Sequence, residues 1–435
     1  MEKKKLSKYL IPITELTGET SNWFGYYNYD PLDTTHKRLL CNRADFDGRA
    51  ITSEDSIELG WMDVESGEWN HIDRTRAFNW QQGAMLQWMP HDSDLVVYNS
   101  ENSEHYVSYI YNVKTREKRT IDWPIYAIAP NGKRAFSLNY ERCYWCRAYH
   151  YKPIVNEKYN VNVPDEDGIY EIDLENNTRK LVVDIHDVIA TDKDENFSEK
   201  KHWLEHIMLN REGTKMVFLH RFSGEDVFRY TTRVCICDTD GKNLQVISGW
   251  RNNDWSHVGW KSENEFVVFT VRKGAVASNS APKTRGGLYM YAKKIYKKFL
   301  SPILGKTITS KLESSHEYQL YEIIGNAAVK KDTYSGNIGA IDGHPSFTVD
   351  GGIMITDTYQ DTSNYQHLQA YNPTTKKMLE LGSFFATFSG NPASCDLHPK
   401  LSRDNEYVMV DTAYSGKHTL VLFKLDWSAI KSDLE

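Results

Sequence analysis

The chain has 435 residues, a formal net charge of −7 and 40% hydrophobic residues. Its acidic balance argues against nucleic acid as the main partner. It contains no apolar run long enough to predict a transmembrane helix, and its charged first residues lack the apolar segment of a signal peptide, so the sequence predicts a cytoplasmic protein. The 27 Tyr, 12 Trp and 16 Phe residues favour strands over helices.

Taken in chain order, one hairpin pattern recurs: a short apolar strand, a polar turn and a second apolar strand. The copy at 207–219 turns at Arg211-Glu212-Gly213-Thr214, and the copy at 345–355 turns through Asp350-Gly351-Gly352. Such turn residues tolerate the backbone conformations that tight hairpins need. The seven copies begin near Tyr27, Met85, Ile125, His206, His257, His344 and His398.

A second hairpin follows each copy, and together the two hairpins predict a four-stranded unit. The second hairpins lie at 57–72, 108–122, 168–183, 234–247, 318–329 and 368–381, with a seventh beginning at 419–426. The last unit lacks one strand, which the N-terminal segment 9–13 can supply. The sequence therefore predicts an all-β protein, a seven-bladed β-propeller of four-stranded blades forming one domain over 1–435, in which the N-terminal strand closes the ring.

Long insertions interrupt the repeat at 139–167, 184–202 and 271–317. The stretch from Arg272 to Lys311 has ten Lys/Arg and no Asp/Glu, and 289–300 within it has the pattern of a short amphipathic helix. This basic helical loop predicts either peripheral contact with an anionic membrane through 272–311 or a solvated loop, and both interpretations stay open.

The six cysteines include a CxxC pair, Cys143 and Cys146, and a CxC pair, Cys235 and Cys237. The spacing admits a zinc site. Reduced thiols packed in a core are the preferred interpretation, because Cys235 and Cys237 lie in a run with core alternation and the CxxC pair flanks aromatic residues.

Four successive units carry a histidine just before their first strand. These are His206, His257, His344 and His398. Because the first strand of a propeller blade lines the central channel, four equivalent positions predict a histidine cluster at one channel mouth. Such a cluster suits a divalent metal or acid–base chemistry near neutral pH.

The second strand of each blade ends on the same face, and its exits are polar and basic. Side chains of this kind that we expect near the mouth are Arg43, Tyr140, Arg142, His220, Arg221 and Tyr359, with Trp80 and Gln82 entering blade two on this side. Arg clamps carboxylates and aromatic rings stack on sugars, so the set predicts an acidic oligosaccharide or polysaccharide as partner. The nearby acids Glu205, Asp342 and Asp396 are candidate ligands or orienting groups.

Several motifs carry a family resemblance. These are Gln82-Gly83-Ala84-Met85-Leu86-Gln87-Trp88, Ser256-His257, Gly343-His344-Pro345-Ser346-Phe347, Thr356-Asp357-Thr358-Tyr359 and Asp396-Leu397-His398-Pro399. Over roughly 25–425 the chain resembles the oligogalacturonate lyases and their propeller relatives. The resemblance implies a divalent metal, typically Mn²⁺, held by three histidines and a glutamine, that binds a uronate carboxylate while a His and an Arg assist β-elimination at C5.

For this chain the resemblance implies that His257 and His398 are metal ligands and that Arg221 matches the catalytic arginine. The family's last blade carries a Gln and an H-x-H pair, whereas here Asp396 occupies the first His position and no Gln is present. His344 is then the compensating ligand. Mn²⁺ is the expected ion, with Zn²⁺ and Ca²⁺ as alternatives.

Three functions follow as hypotheses. The first is a polysaccharide lyase, with His206 or His220 as the base and Arg142 and Arg221 assisting. The second is a non-catalytic propeller that binds a glycan or a protein. The third is a glycoside hydrolase acting in surface polysaccharide metabolism, which needs two opposed carboxyl groups; Asp357, Asp396 and Asp411 are its candidates.

Overall fold

Two strands precede the first blade and serve as outer strands of other blades. The structure is a computed structural model that describes residues 2–147, 151, 160–192, 196–224, 227, 229–272 and 316–435. The N-terminal strands are β1 Lys4–Leu6 and β2 Leu10–Glu15. β1 pairs with the outer strand of blade six, and β2 pairs with residues 421–425 in blade seven. The fourth strand of blade seven is therefore the N-terminal one.

The first three blades follow in chain order, each an antiparallel sheet whose strands are neighbours in sequence. Blade one consists of β3 Ser21–Trp23, β4 Arg38–Ala44, β5 Ile57–Asp63 and β6 Trp69–Thr75. Blade two consists of β7 Gln87–Met89, β8 Asp92–Glu101, β9 Tyr106–Asn112 and β10 Lys118–Ile121. Blade three consists of β11 Ala127–Ile128, β12 Arg134–Ser137, β13 Gly168–Asp173 and β14 Thr178–Asp184.

The remaining four blades complete the ring. Blade four consists of β15 Lys201–Leu209, β16 Lys215–Ser223, β17 Tyr230–Asp238 and β18 Gln245–Val246. Blade five consists of β19 Asn253–Trp260, β20 Glu265–Arg272, β21 His316–Ile324 and β22 Ala327–Tyr334. Blade six consists of β23 Ser346–Phe347, β24 Met354–Asp357, β25 Tyr365–Tyr371 and β26 Met378–Phe385, and blade seven of β27 Lys400–Leu401, β28 Tyr407–Thr412 and β29 Thr419–Leu425 with β2.

The sequence prediction of the fold is confirmed: the chain is a seven-bladed β-propeller with few helices. The α-helices in the described part of the chain are α1 Tyr140–Arg147, α2 Ile185–Ala190 and α3 Trp427–Leu434, with short 3-10 helices at Phe197–Glu199 and Gly336–Gly339. The Asp184 and Asp426 side chains cap α2 and α3 by accepting main-chain N–H bonds. Within the described ranges, none of these helices has the length and apolar character needed to cross a membrane.

The hydrophobic core lies between the faces of neighbouring blades. Val234 of blade four and Val268 of blade five, for example, are fully buried in one cluster. All six cysteines are buried free thiols. Burial raises the pKa of the Cys143 thiol, as expected for a packing residue rather than a reactive one. The predicted basic helix at 289–300 lies outside the described residues.

The chain between β3 and β4 enters the centre of the ring, and we call residues 24–30 the central segment. The Asp411 carboxylate accepts the main-chain N–H groups of Phe24 and Gly25 at 2.8 and 2.9 Å, which turns the chain inward. Tyr27 then reaches blade five, where its hydroxyl donates to the Val258 carbonyl at 2.6 Å. The prediction that the first blade begins near Tyr27 is therefore wrong. That blade begins at Ser21, and Tyr27 belongs to the central segment.

Two glycines permit the close approach that this path requires. A side chain at Gly25, where φ is +120°, would put its Cβ 2.5 Å from the main chain of Gln82. A Cβ at Gly83 would lie 2.3 Å from the Asn42 amide. Neither distance is compatible with a real side chain, so glycine at both positions fixes where the central segment passes blade two.

Removal of the Tyr27 hydroxyl is expected to destabilise the propeller by about 1–3 kcal/mol, because the hydroxyl both donates to the Val258 carbonyl and accepts its N–H. Tyr27→Phe leaves both buried main-chain groups without that partner. Denaturant unfolding of the variant beside wild type measures the loss. Tyr111→Phe, at a partly exposed position of β9, is the control and is expected to change stability by less than about 0.5 kcal/mol. Equal effects of the two substitutions would contradict the prediction.

Candidate functional site

Backbone irregularities place the four histidines. The pairing of β15 with β16 shifts register between Glu205 and Met208, and the pairing of β19 with β20 shifts between Trp255 and Val258. β-Bulges of this kind re-aim side chains and are common beside functional sites. His206 and His257 lie within these two bulges, whereas His344 and His398 precede the short strands β23 and β27.

Three of the four rings form one contact cluster. The ring centroids of His257 and His344 are 4.1 Å apart, and those of His344 and His398 are 4.2 Å apart. The ring of Tyr27 lies 5.1 Å from that of His344. The fourth histidine, His206, stacks on Tyr26 at 5.0 Å, and Tyr26 in turn lies 5.4 Å from His398. The central segment thus links His206 to the other three.

Two of the three contacting histidines have one ring nitrogen engaged by a carboxylate outside the cluster. Nδ1 of His257 lies 3.0 Å from the Asp342 carboxylate, and Nδ1 of His344 lies 2.9 Å from Asp357. A histidine held in this way presents its other nitrogen with a fixed tautomer and ring orientation, which is how metal-binding and proton-accepting histidines are usually supported.

Two histidines and one carboxylate provide the candidate metal centre. One donor atom each of His344, Asp396 and His398 lie within 4.8 Å of one another, and all three residues are buried. Imidazole and carboxylate donors suit Mn²⁺, Fe²⁺ and Zn²⁺. The sequence predicts His257 as the third ligand, whereas the donor group contains Asp396 in its place, and the His257 ring lies beside His344.

The electrostatics of the centre favour a bound cation. Burial alone would lower the pKa of His344. The negative charges of Asp357, and then of Asp396 and Asp342, outweigh the effect of burial, so the pKa of His344 is raised. Burial, with His344 and Lys400 nearby, holds the pKa of His398 well below its usual range. The carboxylates of Asp357, Asp396 and Asp342, which raise the pKa of His344, supply the negative charge beside the donor group that attracts a metal ion. The residues present therefore fit a divalent metal.

A second network surrounds His206. The buried Glu205 carboxylate accepts from Arg221 at 2.7 Å and from the Trp203 indole at 2.5 Å, and it lies 3.2 Å from Nε2 of His206. The Tyr126 hydroxyl lies 3.4 Å from Nδ1 of the same ring. Burial lowers the pKa of His206 to about 3, so the ring is neutral near pH 7.

Two further predicted residues join this site. Gln82 donates to the Tyr126 hydroxyl at 3.1 Å, so it supports His206 indirectly. The Tyr359 ring lies 5.9 Å from that of His257 and 5.7 Å from that of His344. Together with the four histidines and Arg221, these are the sequence-predicted residues that the structure brings together.

The structure places five predicted site residues elsewhere. Arg142, on α1, donates to main-chain carbonyls of His202, Val161 and Asn162, which anchors the chain before blade four. Tyr140 stacks on Tyr151 at 4.5 Å. In blade one, Arg43 lies 3.7 Å above the Trp69 ring of the outer strand. Strand-exit positions predicted a place near the mouth, but these side chains are engaged in packing.

Trp80 and His220 are the other two. Trp80 stacks on His418 at 4.5 Å and donates to the Arg49 carbonyl. His220 is fully buried in a chain of bonds: Arg233 lies 3.2 Å from its Nδ1, and its Nε2 lies 2.8 Å from Nδ1 of His202. Because β16 alternates, His220 and Arg221 point to opposite sides of the strand, and only Arg221 faces Glu205.

The His202–His220 pair predicts an acid-sensitive stability. Arg233 donates to His220, which donates to His202, which donates to the Phe197 carbonyl, so both rings are neutral and neither has an acceptor for a second proton. Burial lowers the pKa of His202 to about 4 and that of His220 well below its usual range. The unfolded chain then binds more protons below about pH 6.5, so stability falls as the pH falls from 6.5 toward 4.

We expect the free energy of unfolding of wild type to drop by at least about 2 kcal/mol more between pH 7 and pH 4.5 than that of the double variant His202→Gln, His220→Gln. Denaturant titrations at the two pH values measure the difference. His186→Gln, which changes an exposed histidine, is the control and should retain the wild-type slope. Identical pH slopes for wild type and the double variant would show that the pair does not titrate as described.

Sequence reasoning missed the central segment and the role of Asp357. The sequence predicts that the first unit begins near Tyr27, although Gly25 just before it signals a turn. The sequence singles out Asp357 as a hydrolytic carboxyl group and as part of the 356–359 motif, but in the structure it contacts two histidines of the cluster. The available signal was its position at the end of β24, one blade before His398.

Solved structures of similar shape were found, although no protein-family model and no curated protein matches the chain. An oligogalacturonate lyase in complex with manganese has a TM-score of 0.60 and 14% identity, covering 99% of this chain and 100% of that one. The oligogalacturonate lyase of Vibrio parahaemolyticus has a TM-score of 0.57 and 12% identity, covering 98% and 97%. What they share with this chain is the fold.

A third similar structure has a different activity. The tricorn protease has a TM-score of 0.51 and 11% identity, covering 97% of this chain and 34% of that one. A propeller of this shape is therefore compatible with a lyase and with other functions, and the side chains at the centre of the ring distinguish between them.

Proposed function

We propose that the chain is a metal-dependent carbon–oxygen lyase that cleaves a uronic-acid-containing glycan by β-elimination. The observation that carries the proposal is the cluster of His257, His344, Asp396 and His398, in which Asp342 and Asp357 hold two of the rings. The likeness to a lyase in complex with manganese supports it. Mn²⁺ is the proposed ion.

The charges of the site explain why a cation belongs there. The carboxylates of Asp342 and Asp357 contact this cluster and Asp396 belongs to it. The Glu205 carboxylate lies beside His206 and pairs with Arg221. An acidic sugar is repelled by such a site unless a cation is present. When bound to His344, Asp396 and His398, a divalent metal supplies the positive charge that neutralises the uronate carboxylate and acidifies the C5 proton.

His257 is the proposed proton acceptor. Its Nδ1 is held by Asp342, which is itself fixed by Ser256 at 2.6 Å, so Nε2 carries the free lone pair. Burial lowers the pKa of His257 although Asp342 opposes the shift, so the ring is neutral and able to accept a proton near pH 7. The carboxylate of Asp342 then stabilises the imidazolium that forms.

The elimination breaks the C5–H bond and the C4–O bond. The proton passes to Nε2 of His257, the C–H electron pair forms the C4–C5 double bond, and the leaving oxygen departs with the C–O electron pair and takes up a proton from solvent water. Arg221, oriented by Glu205, is proposed to bind the substrate carboxylate. His206 orients this group, because Tyr126 and Glu205 already occupy both of its ring nitrogens.

The hydrolase hypothesis finds less support. Asp357 accepts from His344 and His398, and Asp411 accepts from Lys400, Phe24 and Gly25. Carboxylates saturated in this way cannot readily serve as the acid and base that glycoside hydrolysis needs. Asp396, the third candidate, belongs to the metal donor group.

In the test, a panel of uronides is incubated with the protein, once with added Mn²⁺ and once with a chelator. The absorbance of each mixture is then scanned near the ultraviolet edge. We expect a new absorbance from the unsaturated product, lost on chelation. New reducing ends without that absorbance would indicate a hydrolase, and ligand binding without cleavage would indicate a binding propeller. Contact with a membrane through 272–311 stays a prediction.

A further inference from the structure

The Asp357 side chain, at the end of β24, contacts two candidate ligands from different blades. Its carboxylate accepts the main-chain N–H of His344 at 2.6 Å and that of His398 at 3.1 Å. It also lies 2.9 Å from Nδ1 of His344. We propose that Asp357 is a positioning residue that sets His344 and His398 as a pair for metal binding. The proposal rests on the metal-binding part of the proposed function.

The main chain of His398 needs such support. Its φ is +44°, in the left-handed region that a non-glycine residue rarely adopts. Two hydrogen bonds hold it there: its N–H donates to Asp357 at 3.1 Å, and its carbonyl accepts from the buried Lys400 at 2.8 Å. Strained residues persist where the surroundings over-determine them, typically at functional sites.

The close approach of Asp357 to His344 also depends on the residue that precedes His344 in the sequence. A Cβ at Gly343 would lie 1.8 Å from the Asp357 carbonyl oxygen, so only glycine lets the chain come this close. The result is that the His344 N–H and Nδ1 both face one carboxylate. A carboxylate on Nδ1 raises the basicity of the opposite nitrogen and fixes its direction.

A second carboxylate that pairs with a buried histidine offers a matched control. Asp47 contacts His418 in the same manner, with Oδ1 2.8 Å from Nδ1 and Oδ2 accepting the main-chain N–H at 2.6 Å. His418 packs against Trp80 and Phe388 rather than against the metal donor group. Asp47→Asn therefore removes the same kind of contact without touching a proposed ligand.

The experiment is calorimetric titration of metal-free protein with Mn²⁺ for wild type, Asp357→Asn and Asp47→Asn, with circular dichroism to establish folding. Asp357→Asn is expected to weaken Mn²⁺ binding by about 10- to 100-fold, the usual effect of removing an orienting partner. Asp47→Asn is expected to stay within about 2-fold of wild type. The visible spectrum of the Co²⁺-substituted protein should shift in Asp357→Asn alone, because the ligand geometry changes.

The outcomes separate this inference from the proposed function. Equal Mn²⁺ affinity in wild type and Asp357→Asn, or an equal loss in Asp47→Asn, would overturn the positioning role and leave the lyase proposal standing. Absence of Mn²⁺ binding by wild type would overturn both. If Asp357→Asn does not fold, Asp357→Glu replaces it: weaker binding than wild type with a shifted Co²⁺ spectrum supports the role, and unchanged values overturn it.

Discussion

Replacement of His344 by alanine is expected to abolish stoichiometric metal binding. His344 contributes a donor atom to the candidate centre, contacts both His257 and His398, and carries the Asp357 contact that orients it. Since loss of an orienting partner alone costs 10- to 100-fold in affinity, loss of the ligand should cost at least about 100-fold. Elemental mass spectrometry of protein dialysed against Mn²⁺ measures the bound metal.

The control for this substitution lies in the same blade. His367, on β25, contacts Glu380 and Asp361 at the blade surface, and His367→Ala should retain the metal content of wild type. If the His344→Ala variant retains the metal, His344 is not a metal ligand. Absence of metal from wild type as well would leave the histidines as acid–base or packing groups and would favour the binding-propeller hypothesis.

Replacement of His257 by alanine is expected to lower the rate of elimination by about 10²- to 10⁴-fold, the usual contribution of a positioned general base. Mn²⁺ affinity should change little, since His257 is adjacent to the donor group and not part of it. Initial rates of product absorbance on a cleaved uronide, with titration of the same preparation with Mn²⁺, measure the two quantities separately.

Two further variants make the assignment of the base specific. Asp342→Asn should also slow elimination, because the carboxylate sets the His257 tautomer through its 3.0 Å contact. His206→Ala should slow it less than His257→Ala, because both ring nitrogens of His206 are engaged by Tyr126 and Glu205. A larger loss in His206→Ala than in His257→Ala would return the base to His206, one of the two candidates that the sequence predicts.

The blades and the histidine positions could be predicted because both repeat. The pattern of hairpin turns and apolar strands recurs once in each blade. Because the first strand of every blade lines the channel, histidines at the same position of four repeats come together there. The individual roles could not be predicted from the repeat. His220 and Arg221 are neighbours in sequence, yet β16 sends them to opposite sides, one to a buried histidine pair and the other to Glu205.

Local departures from the repeat account for the remaining differences. Arg142 follows a predicted strand exit, but the chain there forms α1 and turns the guanidinium toward carbonyls before blade four. Asp411 captures the main chain at Phe24 and Gly25 and so creates the central segment, a contact between positions almost 390 apart in sequence. The sequence around each partner gives no sign of this contact, because each segment has the residue pattern of an ordinary strand.

The pairing of β2 with β29 has a consequence for how the molecule is made. The two strands are more than 400 positions apart in the chain, so at about 5–20 residues per second the first strand waits roughly 20–80 s on the ribosome for its partner. Asp396 and His398 follow the last strand of blade six and precede β29. A nascent chain can therefore hold six blades while it still lacks two of the three residues of the proposed metal centre.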